Sequence, residues 1–160
     1  MTPAVDQVKK HSVSFELHHY EHDVNANSFG LEAAEKLSVP ANRVYKTLIV
    51  SALINNKEQL AVAIVPVTYQ LNMKSMAKAL KTKKVTMADS KRVEAATGYV
   101  LGGVSPLGQK KRLTTIIDQS SQSFSTIFIS GGKRGLEIEL SAIDLSKITN
   151  AKFSQLTTES

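Results

Sequence analysis

Two runs of this chain crowd glycine against positive charge: "TGYVLGGVSPLGQKKR", from Thr97 to Arg112, and "SGGKRG", from Ser130 to Gly135. Of its 8 glycines, all but Gly30 fall between Gly98 and Gly135. Peptide N–H groups and Lys or Arg head groups both attract an anion, and a missing side chain lets the backbone reach it. The combination suits a phosphate-bearing ligand, with hairpin turns and solvated rims as the plainer alternative. "GVSPLGQK" is one residue out of step with the Walker phosphate loop and lacks its following Ser/Thr, and there is no GxGxxG. An ATPase and a dinucleotide oxidoreductase are thereby disfavoured. What remains is a loop whose N–H groups around Leu101 to Val104 could cradle an anion or the carbonyl oxygen of an ester.

The segment "HHYEHD" places His18, His19, His22 and Asp23 within six residues, which suggests a metal site. On a strand, neighbouring side chains point to opposite faces, so these could converge only if the chain turned sharply at Glu21. Solvated strand-end histidines are the simpler reading. In "YKTLIVSALI" the positions Lys46, Leu48, Val50, Ala52 and Ile54 share one face, and Lys46 is its only charged member. A lysine at the mouth of an apolar face either snorkels to water or faces a ligand cavity. Serines are plentiful, yet no Ser-His-Asp set follows from spacing and the GxSxG elbow is absent.

The elements that must position these groups are mixed. Thr2 then Pro3 reads as a helix start. "SFELHHY" alternates as a half-buried strand, and "LEAAEKLSV" is helical up to Pro40. "YKTLIVSALI" and "EQLAVAIVP" flank "NNK" as a hairpin. "NMKSMAKALK" is an amphipathic helix, "KVTM" a short strand, and Asp89 caps a helix that Gly98 ends. Strands around "LTTIID" and "SFSTIFIS", a Gly131-Gly132 turn, the strand "LEIEL", the helix "AIDLSKIT" and a last short strand follow. Without strict alternation a doubly wound parallel sheet is disfavoured. The fold expected is a mixed α/β (α+β) single domain over residues 1–160, on one curved mixed sheet or open barrel flanked by helices.

Bulk numbers bound the rest. The 160 residues are 42% hydrophobic and 21% charged, an ordinary globular balance. With no cysteine in the chain, disulfides, thiolate zinc sites and a cysteine nucleophile are excluded. The start, "MTPAVDQVKK", lacks a signal-like apolar run, and "LAVAIVPV" is too short to span a bilayer, so a soluble, cytoplasmic protein is expected, with no membrane partner. The net charge is +6, and the segment from Lys74 to Arg112 alone carries +8. That clustering is the footprint of a nucleic-acid or polyphosphate partner, though the lysines of "KSMAKALKTKK" also suit a solvated helix face.

Taken in order, "EAAEKL", "YKTLIV", "TGYVLGGVSPLGQKKR" and "SGGKRGLEIEL" span nearly the whole chain, and together they resemble the YbaK/EbsC family of aminoacyl-tRNA deacylases, nearest its Cys-tRNA(Pro) branch. The resemblance implies a free-standing, monomeric editing domain that removes cysteine mischarged onto tRNA(Pro) by prolyl-tRNA synthetase, in transient complex with that enzyme. It implies no metal and no other cofactor. Lys46 matches the family's essential lysine, which holds the tRNA 3′ end near its terminal phosphate and adenosine. Gly102 and Gly103 match the loop whose backbone addresses the scissile ester, and Ser130 matches a pocket residue. Tyr20 and Thr47 resemble cavity-lining neighbours, and Glu137 takes a supporting role. Lys110, Lys111, Arg112, Lys133 and Arg134 would hold tRNA phosphates. The substrate's own thiol would attack its ester, which explains the missing nucleophile. Related branches remove other residues such as alanine. A non-catalytic tRNA- or nucleotide-binding module and a metal-dependent hydrolase on "HHYEHD" are the competing readings.

Overall fold

The computed structural model describes residues 1–26 and 28–158. Its helices are α1 (Pro3–Lys10), α2 (Phe29–Leu37), α3 (Met73–Leu80), α4 (Ser90–Thr97) and α5 (Ala142–Thr149). Its strands are β1 (Glu16–His19), β2 (Tyr45–Ile54), β3 (Lys57–Pro66), β4 (Val85–Met87), β5 (Thr114–Asp118), β6 (Ile127–Ser130), β7 (Leu136–Leu140) and β8 (Lys152–Ser154). The mixed α/β class is as the sequence implies. Hydrogen bonding divides the strands into two sheets, β1-β7-β6 and β4-β2-β3-β5-β8, where the sequence suggested one curved sheet. The sheets touch where Val44 forms a parallel bridge with Phe128.

Local chemistry accounts for the boundaries. The Thr2 hydroxyl accepts from the Val5 N–H at 3.2 Å and starts α1, with Pro3 supplying the fixed φ of a first helical residue. Asp89 accepts from the Arg92 N–H at 2.9 Å to start α4, and Gly98 ends it at a φ of 83°. The β2–β3 hairpin closes through Asn55 and Asn56 alone, at φ 53° and 63°, the doubly left-handed turn that matches strand twist and that asparagine tolerates. Lys57, which the sequence suggested was in the turn, already pairs with Ile54.

The β2–β3 ribbon is buried on both faces. Val50, Ala52, Ala61, Ala63 and Val65 pack with Met76, Ala77 and Leu80 of α3. Tyr45, Ile49, Val62 and Ile64 pack with α1 and with the inner faces of β6 and β7. Each large aliphatic side chain so buried contributes about 1.5–3 kcal/mol. α1 also ties down both glycine-rich runs. The Thr2 hydroxyl donates to the Gly131 carbonyl at 2.5 Å, and the Gln7 side chain accepts from the Gly108 N–H at 2.6 Å. Among the described residues no helix is long and apolar enough to cross a membrane.

Candidate active site

β4 pairs with β2 only from Val50 to Ala52, and at its start β2 meets the other sheet through the single bridge from Val44 to Phe128. There the chain opens a cavity of about 320 Å³. Lys46, Thr47 and Leu48 line one wall, Leu101, Gly102 and Val104 a second, and Ser130, Lys133, Arg134 and Glu137 a third, with Tyr20 and Gly30 also facing it. The lysine face thus leads to a cavity, and snorkelling to open water does not describe it.

Its electrostatics are those of polar groups held short of solvent. Lys46 is half-buried, and burial lowers its pKa below the usual lysine value. Glu137 is buried, and loss of water pushes its carboxyl up to about 8. No ion pair joins Lys46 or Glu137 to any described residue. The Thr47 hydroxyl is buried and has no hydrogen-bond partner among the described residues. Burial also raises the Tyr20 phenol, opposed by the Gly135 backbone and reinforced by the Glu137 and Glu32 charges. Ser130 stands opposite Glu137 across β6 and β7, and its hydroxyl accepts from the Gly132 N–H at 3.1 Å.

The two loop glycines differ in role. Gly102 sits in the wall at a φ of 90°, a conformation that costs other residues about 1–2 kcal/mol. Gly103 is buried behind the wall, and its N–H donates to the Val100 carbonyl at 3.0 Å, so it is Gly102 that faces the space.

The cations are not all brought together. Lys133 and Arg134 line the cavity, and Arg134 contacts the His22 ring at 3.1 Å. Lys110 and Lys111 dock their N–H groups on the Thr97 and Ala96 carbonyls, at the end of α4. Lys111 and Arg112 line a separate groove with Glu58 and Arg92, beside the start of β3. The β3 residues of that groove, Glu58 to Leu60, pair with Leu53 to Ser51 of β2, whose distance along the strand from Lys46, at about 3.3 Å per residue, is roughly 17–23 Å.

The histidines also part. His18 Nε2 meets Glu139 at 2.8 Å and its ring tilts over Phe128, whereas His22 Nδ1 meets Glu32 at 2.7 Å and His19 is exposed. Ligand atoms of Glu16, His18 and Glu139 do lie within 4.8 Å of one another. Arg43 and the Thr126 hydroxyl hold the second Glu139 oxygen, so positive charge is already supplied there by protein.

A family model described as the aminoacyl-tRNA editing domain matches residues 26–148. The chain belongs to that family. A protein of Enterococcus faecalis, EbsC, named as a candidate Cys-tRNA(Pro)/Cys-tRNA(Cys) deacylase, is 37% identical over 99% of this chain and 94% of its own length. Two solved structures share the fold. One, titled as a candidate trans-editing enzyme for prolyl-tRNA synthetase, has a TM-score of 0.83 at 16% identity, covering 99% of each chain. The other, the hypothetical protein APE2540, has a TM-score of 0.86 at 24% identity, covering 98% of this chain and 100% of its own. As a YbaK/EbsC-type editing domain, the chain is an aminoacyl-tRNA deacylase.

Several cavity residues escaped the sequence reading. Gly30 is one, and a β-carbon there would overlap Val67 Cγ1 at 2.1 Å, so close packing of α2 on the end of β3 requires glycine. Its only signal was being the one glycine outside the cluster. Val44, Tyr45, Leu48 and Val67 give the cavity apolar surface. Of these only Leu48 carried a signal, as the next residue on the Lys46 face.

Proposed function

We propose that the chain, acting over residues 1–160 as one monomeric editing domain in the cytoplasm, removes cysteine from mischarged Cys-tRNA(Pro), and from Cys-tRNA(Cys), in transient complex with prolyl-tRNA synthetase. The observation that carries this reading is the meeting of Lys46, Thr47, Gly102, Ser130 and Glu137 in one cavity. Lys46 offers the terminal phosphate and adenosine a cation already half stripped of water. Gly102 presents bare backbone to the ester, and Lys133 and Arg134 border the path of the RNA.

No histidine lines the cavity among the described residues, and Ser130 already accepts a backbone hydrogen bond, so the wall supplies no activated nucleophile. The substrate carries one. The cysteine Sγ, as thiolate, bonds to the carbonyl carbon while the bond from that carbon to the ribose oxygen breaks. The ribose oxygen takes up the proton that the thiol lost. Free tRNA and the four-membered thiolactone result, and water then opens the ring to cysteine. The protein contributes orientation, which offsets the ring strain.

The test is deacylation of Cys-, Ser-, Ala- and Pro-tRNA(Pro) by the purified protein. Cys-tRNA(Pro) is cleaved far faster than Ser-tRNA(Pro), because a thiol is a few per cent ionised near neutrality and a hydroxyl is not. The rate climbs towards the thiol pKa, about 8.5 in free cysteine, and chelators leave it unchanged. Equal cleavage of the cysteinyl and seryl esters contradicts thiol attack, and faster release of alanine moves the assignment to another branch.

A further inference from the structure

Lys46 and Glu137 face one cavity, and among the described residues neither has an ion-pair or side-chain hydrogen-bond partner, including each other. The contrast with neighbouring acids is direct. Glu139, on the same face of β7, is met by His18, Arg43 and Thr126, and Glu32 by His22 and the Asp23 N–H. Glu137 is 7% exposed and has no hydrogen-bond partner among the described residues, while Leu136 and Ile138 on either side of it are anchored in the core. It is also the one carboxyl among the residues lining the cavity. A buried carboxyl left without a partner is costly whether it is held protonated or ionised, so a fold that keeps one against a ligand cavity points to a ligand group that pairs with it.

An aminoacyl-adenosine end has that polarity: a phosphate on one side of the ribose and an α-ammonium on the other. Resting on the deacylase reading above, we propose that the Glu137 carboxyl receives the free α-amino group of the substrate and makes the site selective for esters of unblocked amino acids. Lys46 then holds the phosphate end and Glu137 the amino end, with the ester carbonyl between them beside Gly102. Burial that keeps Glu137 protonated in the free protein suits this role, since carboxyl with amine and carboxylate with ammonium contain the same number of protons. The low-dielectric surroundings strengthen the pair once it forms.

Binding of two stable amides tests this without requiring turnover: 3′-cysteinylamino-3′-deoxyadenosine 5′-phosphate, and its 3-mercaptopropionyl counterpart, which lacks only the α-amino group. By calorimetry the wild type is expected to bind the amine about ten- to a hundredfold more tightly, the worth of a charge-assisted hydrogen bond. Glu137→Gln is expected to bind both alike while unfolding at no lower temperature. Equal binding by the wild type overturns the proposal, as does a preference that survives in Glu137→Gln. Should the variant fail to fold, the wild-type comparison alone decides. Loss of the deacylase reading would show separately, as discrimination between the amides with no cleavage of Cys-tRNA(Pro).

Discussion

Gly103 lies against the backbone of Lys133, so closely that a β-carbon on it would stand 3.2 Å from the Lys133 α-carbon. The two glycine-rich runs, thirty residues apart in sequence, therefore touch, and their contact fixes Lys133 at the cavity while Lys111 and Arg112 lie beside another groove. Cations of the two runs should separate in function. Lys133→Ala is expected to raise KM for both Cys-tRNA(Pro) and a short cysteinyl oligonucleotide ester. Lys111→Ala should leave the short ester untouched, and any effect should appear as a slope of log K against log[salt] smaller by somewhat under one unit. Steady-state kinetics on the two substrates and a salt titration of tRNA binding read this out.

The Thr47 hydroxyl offers a test in which stability and activity move in opposite directions. It is buried with no hydrogen-bond partner among the described residues, an arrangement that costs about 1–3 kcal/mol. Thr47→Val keeps the shape and removes the orphan. Thermal unfolding should show a variant at least as stable as the wild type, while kcat/KM for Cys-tRNA(Pro) falls. A stability loss would mean that the hydroxyl has a structural partner.

Glu137 should make stability fall as pH rises. Its carboxyl ionises at about 8 in the folded chain against 4.5 for an unperturbed glutamate. Below the lower value both states carry the proton. Between the two values the unfolded state has released it and the folded state has not, so each rise in pH favours unfolding. Above about 8 the difference is constant. Glu137→Gln lacks this dependence. Its advantage over the wild type in denaturant unfolding should be near zero at pH 4 and grow through pH 7 to on the order of a few kcal/mol.

Much of this architecture was legible because it is local. Thr2 with Pro3, and Asp89 with Gly98, mark helix ends through hydrogen bonds made within a turn, and Lys46 stood out by strand alternation alone. The division into two sheets was not legible, since it depends on β5 lying parallel to β3 and β7 reaching back to β1, pairings between distant segments. Glu137 entered the sequence reading only through the family resemblance, and its burial was not legible for a related reason. Alternation in "LEIEL" puts Glu137 and Glu139 on the face opposite Leu136 and Ile138, which reads as a solvent face until the cavity at the start of β2 encloses it. Lys110 does lie beside a glycine, its side chain packing over Gly98, but the loop folds back along α4, so that Lys111 and Arg112 line a groove other than the one Gly102 faces, which the order of residues along the chain did not reveal.

The central claim is that ester cleavage takes place in the cavity at the start of β2, and it rests most directly on Lys46. The decisive measurement is the single-turnover rate of Cys-tRNA(Pro) deacylation by Lys46→Ala beside the wild type, with folding checked by thermal unfolding. Burial disfavours the Lys46 ammonium, which has no ion pair among the described residues, so removing the charge should leave a folded variant. Loss of a charge-assisted phosphate contact is worth about 1.5–3 kcal/mol, and the rate should drop about ten- to a hundredfold or more. A folded Lys46→Ala that deacylates Cys-tRNA(Pro) at the wild-type rate would contradict the account.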